Sequence, residues 1–217
     1  MKKLILITAI TLLSIAAFAA DTNATPEQAE ANYTKAIEGR TTDILKILSL
    51  TDAAKTAKVH DAIIAQYRAL KTWHDENDVK LKVSAKDTNA VTAIRATLKT
   101  IHNNFIMKLA GQLTPEQVEQ VKDKMTYNKV KVTYDAYCDI IPTLTDAQKT
   151  HILATLKEAR EEAMDGGSAD EKSAIFKKYK GRIANYLSKE GVDETKARKE
   201  WGAKQKAKAA GPTEAKP

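Results

Sequence analysis

In the stretch VTAIRATLKTIHNNFIMKL the apolar residues Val91, Ile94, Leu98, Ile101, Phe105 and Leu109 recur at gaps of three and four. That spacing lines one side of a 3.6-residue helix and excludes a strand, whose apolar positions alternate. The same stripe runs through Val59, Ile63, Tyr67, Leu70 and Trp73, through Ile152, Leu153, Leu156, Ala159 and Ala163, and through Ile175, Phe176, Tyr179, Ile183, Tyr186 and Leu187. Four such stripes leave water only by packing on one another, so the pattern predicts an all-α antiparallel helical bundle.

Short polar motifs punctuate the stripes. In LTPEQ, Thr114 is positioned to cap a helix, Pro115 takes the first helical position, and Gln117 can reach back to the cap's own N–H. Leu113 and Val118 bracket that cap as a hydrophobic staple. LTDAQ repeats the arrangement with Thr145 and Gln148, TPEQ with Thr25 and Gln28, and SADE with Ser168 and Glu171, while LTDAA at 50–54 keeps Leu50 and Thr51 without the glutamine. Pro26, Gly39, Gly111, Pro115, Pro142, Gly166, Gly167 and Gly191 fall between stripes, as helix breakers should. Gly181 alone sits inside a stripe, which predicts close approach of another backbone or of a ligand there, with close packing the favoured reason. Helices are expected at Pro26–Glu38, with a short turn through Leu48, and at Asp52–Val79, Asn89–Ala110, Pro115–Met125, Asp146–Met164 and Ala169–Lys189, with a tail helix after Asp193. The stretch Thr126–Thr143 mixes β-branched residues with three tyrosines. It is expected either to hide a helix near Tyr134–Ile140 or to form a functional loop.

Composition changes this picture at the two ends. The opening MKKLILITAITLLSIAAFAA has two lysines, an apolar run and a small-residue end, which predicts a secretory signal over residues 1–20. With no cysteine at the cleavage point a lipid anchor is not expected, so the mature chain should be periplasmic or secreted, with no stable membrane anchor. One helical domain is expected over 21–195. The formal charge of +7 does not belong to that domain, because Lys2 and Lys3 leave with the signal and the Ala/Lys-rich tail 196–217, expected to be flexible, carries seven basic against two acidic residues. The body is near neutral and lacks a basic, aromatic-interleaved module, so nucleic acid is not an expected partner. The single cysteine, Cys138, cannot form an internal disulfide, and packing alone must hold the fold.

Candidate chemistry is sparse. The histidines His60, His74, His102 and His151 show no metal-binding spacing, and no phosphate loop, nucleophile elbow or cofactor fingerprint occurs, so neither a metal nor a cofactor is expected. WHDEND, Trp73–Asp78, reads as a solvated helix end. The ligand-binding candidates are Tyr127, Asn128, Tyr134, Tyr137, Arg160, Lys180 and Arg182, because tyrosine faces can stack on sugar rings and arginine forks can grip carboxylates.

Two resemblances rest on these residues. The repeated Leu-Thr-x-x-Gln resembles the signature of small helical periplasmic stress proteins. VHDAIIAQYRALKTWHDEND, with the long run from LTPEQVEQVKDKMTYNKVKVTYDAYCDIIPT to IFKKYKGRIANYLSKEG, resembles family 3826 of exported bacterial proteins, a domain of unknown function often encoded beside polysaccharide-degrading enzymes. That resemblance implies a carbohydrate-processing setting outside the cytoplasm and supplies no catalytic residue. Three readings follow: an accessory protein that binds a glycan or an envelope partner without chemistry, an envelope chaperone-like bundle, and a small lyase-like enzyme acting on polysaccharides. The first is the expectation.

Overall fold

The computed structural model describes residues 25–210; the expected signal segment 1–20 and the last seven tail positions lie outside them. Eight helices and no strand are present among the described residues: α1 Pro26–Leu48, α2 Ala53–Val83, α3 Thr88–Ala110, α4 Pro115–Met125, α5 Lys129–Ile140, α6 Asp146–Met164, α7 Ala169–Lys189 and α8 Glu194–Ala210. The fold is an all-α helical bundle, with links of three to five residues. None of these helices is long and apolar enough to cross a membrane. The chain divides into two units, 1–36 and 37–217, with the boundary inside α1. In the first unit, the described residues form the capped start of α1, where Thr25 and Gln28 bond reciprocally at 2.9 and 3.3 Å.

The capping motifs set the helix starts. Thr114 and Thr145 both make complete capping boxes with Gln117 and Gln148, and each cap contributes about 1 kcal/mol. Two other helix starts are capped differently. Asp52 rather than Thr51 caps α2, because its carboxylate accepts from the Lys55 N–H at 3.0 Å. Ser168 caps α7, but the Glu171 carboxylate turns one residue further back, to the Gly167 N–H at 2.8 Å.

The main core lies among α5, α6 and α7, where Tyr137, Ile140, Ile152, Leu156, Phe176, Ile183 and Leu187 are buried with Ala159 and Ala163. Each fully buried Leu or Ile contributes about 1.5–3 kcal/mol relative to exposure. A second set of buried side chains comes from α1 (Ile37, Ile44), α2 (Val59, Ile63, Leu70, Trp73), α3 (Phe105, Leu109) and α4 (Val118, Val121).

Five expectations need correction. Gly39 does not end a helix, since α1 runs unbroken to Leu48. The stretch after Met125 holds the helix expected near Tyr134–Ile140 and not a loop, but α5 starts earlier, at Lys129, because Tyr127 and Asn128 both adopt left-handed conformations, at φ 59° and 54°. The Asn128 and Tyr127 N–H groups close back on the Asp123 and Lys124 carbonyls at 2.7 and 3.1 Å, a Schellman ending built on tyrosine instead of glycine. Of the α3 stripe only Phe105 and Leu109 are buried; Val91, Ile94, Leu98 and Ile101 remain partly exposed, since the far ends of α2 and α3 carry no buried residue. Part of the tail is built into the body, with the Trp201 indole donating to Asp139 at 2.6 Å and Arg198 lying over the Tyr137 ring.

The last correction concerns Gly181, which no backbone approaches: a Cβ there would meet nothing within 4 Å. Its place on an exposed α7 face weakens the helix without a packing reason. Gly181→Ala should therefore raise stability by about 1 kcal/mol, measured as an upward shift of the urea midpoint. A loss of stability would show that something does pack there.

Candidate functional site

The link between α6 and α7, Asp165-Gly166-Gly167-Ser168, collects most of the buried polar chemistry. The His74 ring, on α2, lies against it: a Cβ at Gly167 would sit 2.7 Å from the His74 Cγ. Only glycine leaves room for that ring. His74 Nε2 is 2.8 Å from the Asp165 carbonyl and Nδ1 is 2.9 Å from an Asp78 carboxylate oxygen. Both partners are acceptors, so both nitrogens carry hydrogen, which is the imidazolium form. Burial pulls the His74 pKa down, but the Asp165 carbonyl, Asp78 and Glu171 outweigh it and leave a net rise. The adjacent Trp73 donates to Thr97 at 2.8 Å and meets His74 edge-on. WHDEND is thus half core, and α2 continues through it.

The Asp165 side chain faces the other way, toward α3. Its carboxylate is 3.0 Å from His102 Nδ1. That hydrogen bond raises the His102 pKa against the opposing pull of burial, and burial in turn raises Asp165 despite His102. His102 Nε2 stands 3.7 Å from a Glu161 oxygen. Glu161 is shared between Lys122 at 3.1 Å and Arg160 at 3.0 Å. Arg160, with its side chain 3 % exposed, also grips Glu119 at 2.6 Å and Asp123 at 2.7 Å. Burial alone would push Glu119 up, yet Arg160 and Lys122 hold it below the usual carboxylate range. A continuous charged seam therefore joins α3, α4 and α6. Behind it Lys172 donates to the Met125 carbonyl at 3.1 Å, and burial brings its pKa down to about 8.

Open grooves flank this seam. One, of about 620 Å³, is lined by Thr100, His102, Asn103 and Asn104 of α3, with Lys122 and Glu161 opposite and Ile106 and Met107 as its apolar part. A second, of about 320 Å³, lies on the other side of Asp165 between Arg95 and Lys99 of α3 and Glu162 and Glu171. A third, of about 570 Å³, sits where α7 meets α8, beside Ser188, Gly191 and Arg198.

None of the seven residues singled out in the sequence lines these three grooves. Tyr127 and Asn128 occupy the left-handed bend and are exposed. Tyr134 is half-buried on α5, one turn from the half-buried Cys138. Tyr137 is 2 % exposed, and burial pushes its phenol up to about 12. Arg160 is committed to three carboxylates. Lys180 is exposed, and Arg182 pairs with Glu158 at 3.0 Å while covering the Tyr179 ring. The structure thus does not join the tyrosines to Arg160 or Arg182 in one of these grooves. Sequence reasoning passed over His102, Glu161 and Asp165, whose chain separation of about sixty positions hides their contact. The legible signal was Gly166-Gly167 beside an acidic residue, a link that small because side chains from elsewhere fill its space.

Among the described residues no group of three His, Cys, Asp or Glu side chains is arranged to hold a metal ion. No curated protein matches the chain. The family model described as "Protein of unknown function (DUF3826)" matches residues 34–207 and covers the entire seam and its grooves. The chain belongs to that family.

Proposed function

We propose that the protein is an exported helical binding protein that takes a hydroxyl-rich ligand, a glycan chain, in the groove between α3, α4 and α6 and performs no chemistry on it. One observation carries this reading. The groove presents a hydroxyl, two primary amides, an imidazole, an ammonium and a carboxylate beside Ile106 and Met107. Amides and hydroxyls both donate and accept, as sugar hydroxyls do, and the apolar pair offers a surface to the C–H face of a sugar ring. The signal-like segment at residues 1–20 supports export.

The test is a glycan array and turnover screen on the mature chain, residues 21–217, with Asn103→Ala/Asn104→Ala alongside. The expected result is binding of a glycan without turnover, weakened about tenfold or more in the double variant. Turnover would move the protein to the enzyme reading, and a glycan bound equally by the variant would put the site elsewhere.

A specific observation also favours the chaperone-like reading. Val79 and Val83 are 68 % and 82 % exposed at the end of α2, next to the partly exposed stripe of α3. Suppression of client aggregation that is lost in Val79→Glu/Val83→Glu would support it.

A further inference from the structure

Among the described residues three histidines meet carboxylates, and they differ in one respect. His60 uses both ring nitrogens, on Glu38 at 2.9 Å and Asp61 at 3.0 Å. His74 likewise uses both. His102 uses only Nδ1, on Asp165; its Nε2 lies beyond hydrogen-bond reach of Glu161 and belongs to the wall of the 620 Å³ groove. The 3.7 Å gap between Nε2 and the Glu161 oxygen is narrow enough for one ligand oxygen in the groove to reach both atoms, at about 2.8 Å from each on ordinary hydrogen-bond distances.

We infer that His102 Nε2 and the Glu161 carboxylate form a clamp for one ligand hydroxyl, closed when the His102–Asp165 pair holds its extra proton and opened when that proton is lost. The inference rests on the glycan reading and assigns its pH control. With the proton present, Nε2–H donates to the hydroxyl oxygen while Glu161 accepts the hydroxyl's own proton. Deprotonation leaves the remaining ring proton on Nδ1, held by the Asp165 carboxylate, so Nε2 becomes an acceptor. Two acceptors then face one hydroxyl, which has a single hydrogen to give.

The groups facing the imidazole are Glu161 and Asp165, at the C-terminal end of α6, and Lys122 of α4. The two carboxylates favour the protonated form and Lys122 opposes it. Lys172 of α7 acts on Asp165. The imidazole and carboxyl are in contact and titrate as one unit, so the proton belongs to the pair.

The experiment is calorimetry of the mature chain with cellohexaose, mannohexaose and xylohexaose from pH 5.5 to 9, in two buffers of different ionisation enthalpy. The expected result is that the hexaose that binds does so with proton uptake, and that its affinity falls about tenfold per pH unit above the pair's pKa. His102→Gln should bind more weakly and lose the slope, and Asp165→Asn should move the midpoint to lower pH. The proton count on the unsubstituted chain keeps the test decisive if either variant folds poorly. Tight binding that is flat with pH and takes up no proton would overturn this inference and leave the glycan reading standing. No binding by any of the three at any pH would overturn both.

Discussion

Arg160→Ala is expected to lower the unfolding free energy by about 3 kcal/mol, read from the urea midpoint at constant slope. The guanidinium is nearly fully buried and makes charge-assisted bonds to Glu119, Asp123 and Glu161. Removing it leaves three carboxylates close together, with Lys122 pairing only Glu119 and Glu161. Losing one partner of a buried ion pair costs about 3–5 kcal/mol. The low end applies here, because the three carboxylate side chains are 37–41 % exposed and regain water. Adding Glu119→Gln and Asp123→Asn to Arg160→Met should recover most of the loss, because the stem is kept and the stranded charges are gone. A loss below about 1 kcal/mol for Arg160→Ala would show that the seam is held by its helices and not by its charges.

Gly167→Ala should cost about 2 kcal/mol, although it is an exposed glycine replaced by the best helix former. The added methyl would lie 2.7 Å from Cγ of His74 and 2.8 Å from Cδ2. These are ring atoms close to the α2 backbone, and Asp78 and the Asp165 carbonyl anchor both nitrogens, so the ring cannot swing aside without breaking two hydrogen bonds. Overpacking of this kind typically costs about 1–3 kcal/mol. Combined with His74→Ala the effect should vanish, because the methyl then enters the space the ring has left. Thermal unfolding of the two single variants and the double variant gives the coupling directly. An unchanged penalty in the double variant would locate the strain in the link itself. Gly181→Ala, expected to stabilise, is the opposite case: Gly181 faces open space where Gly167 faces an imidazole.

That contrast shows where reading the chain stops. Gly167 and Gly181 are equivalent letters to any local rule, and the rule assigned close packing to the wrong one. Gly181 interrupts a stripe and so drew attention, whereas Gly167 lies among breakers and looked like punctuation. The histidines behave in the same way. Spacing along the chain excluded a local metal motif, but it could not show that His74 and His102 converge from two helices on opposite sides of Asp165. Tyr127 illustrates a different limit: its left-handed backbone lies in the short link between α4 and α5, which each pack on α6, and nothing in its own side chain predicts it.

The chain alone determined the helical class, the starts of α4, α6 and α7 to the residue, and the membership of the α6 and α7 core stripes. Each of these depends on interactions spanning about one helical turn, between a cap and its third residue or between apolar positions three and four apart, and such interactions are written in adjacent letters. Only the tertiary structure decided which charges pair, which glycine is crowded, and which imidazole keeps a nitrogen facing a groove. Those outcomes depend on helices far apart in sequence approaching within hydrogen-bond distance. There, shifts of about an ångström separate the satisfied His74 from the half-satisfied His102.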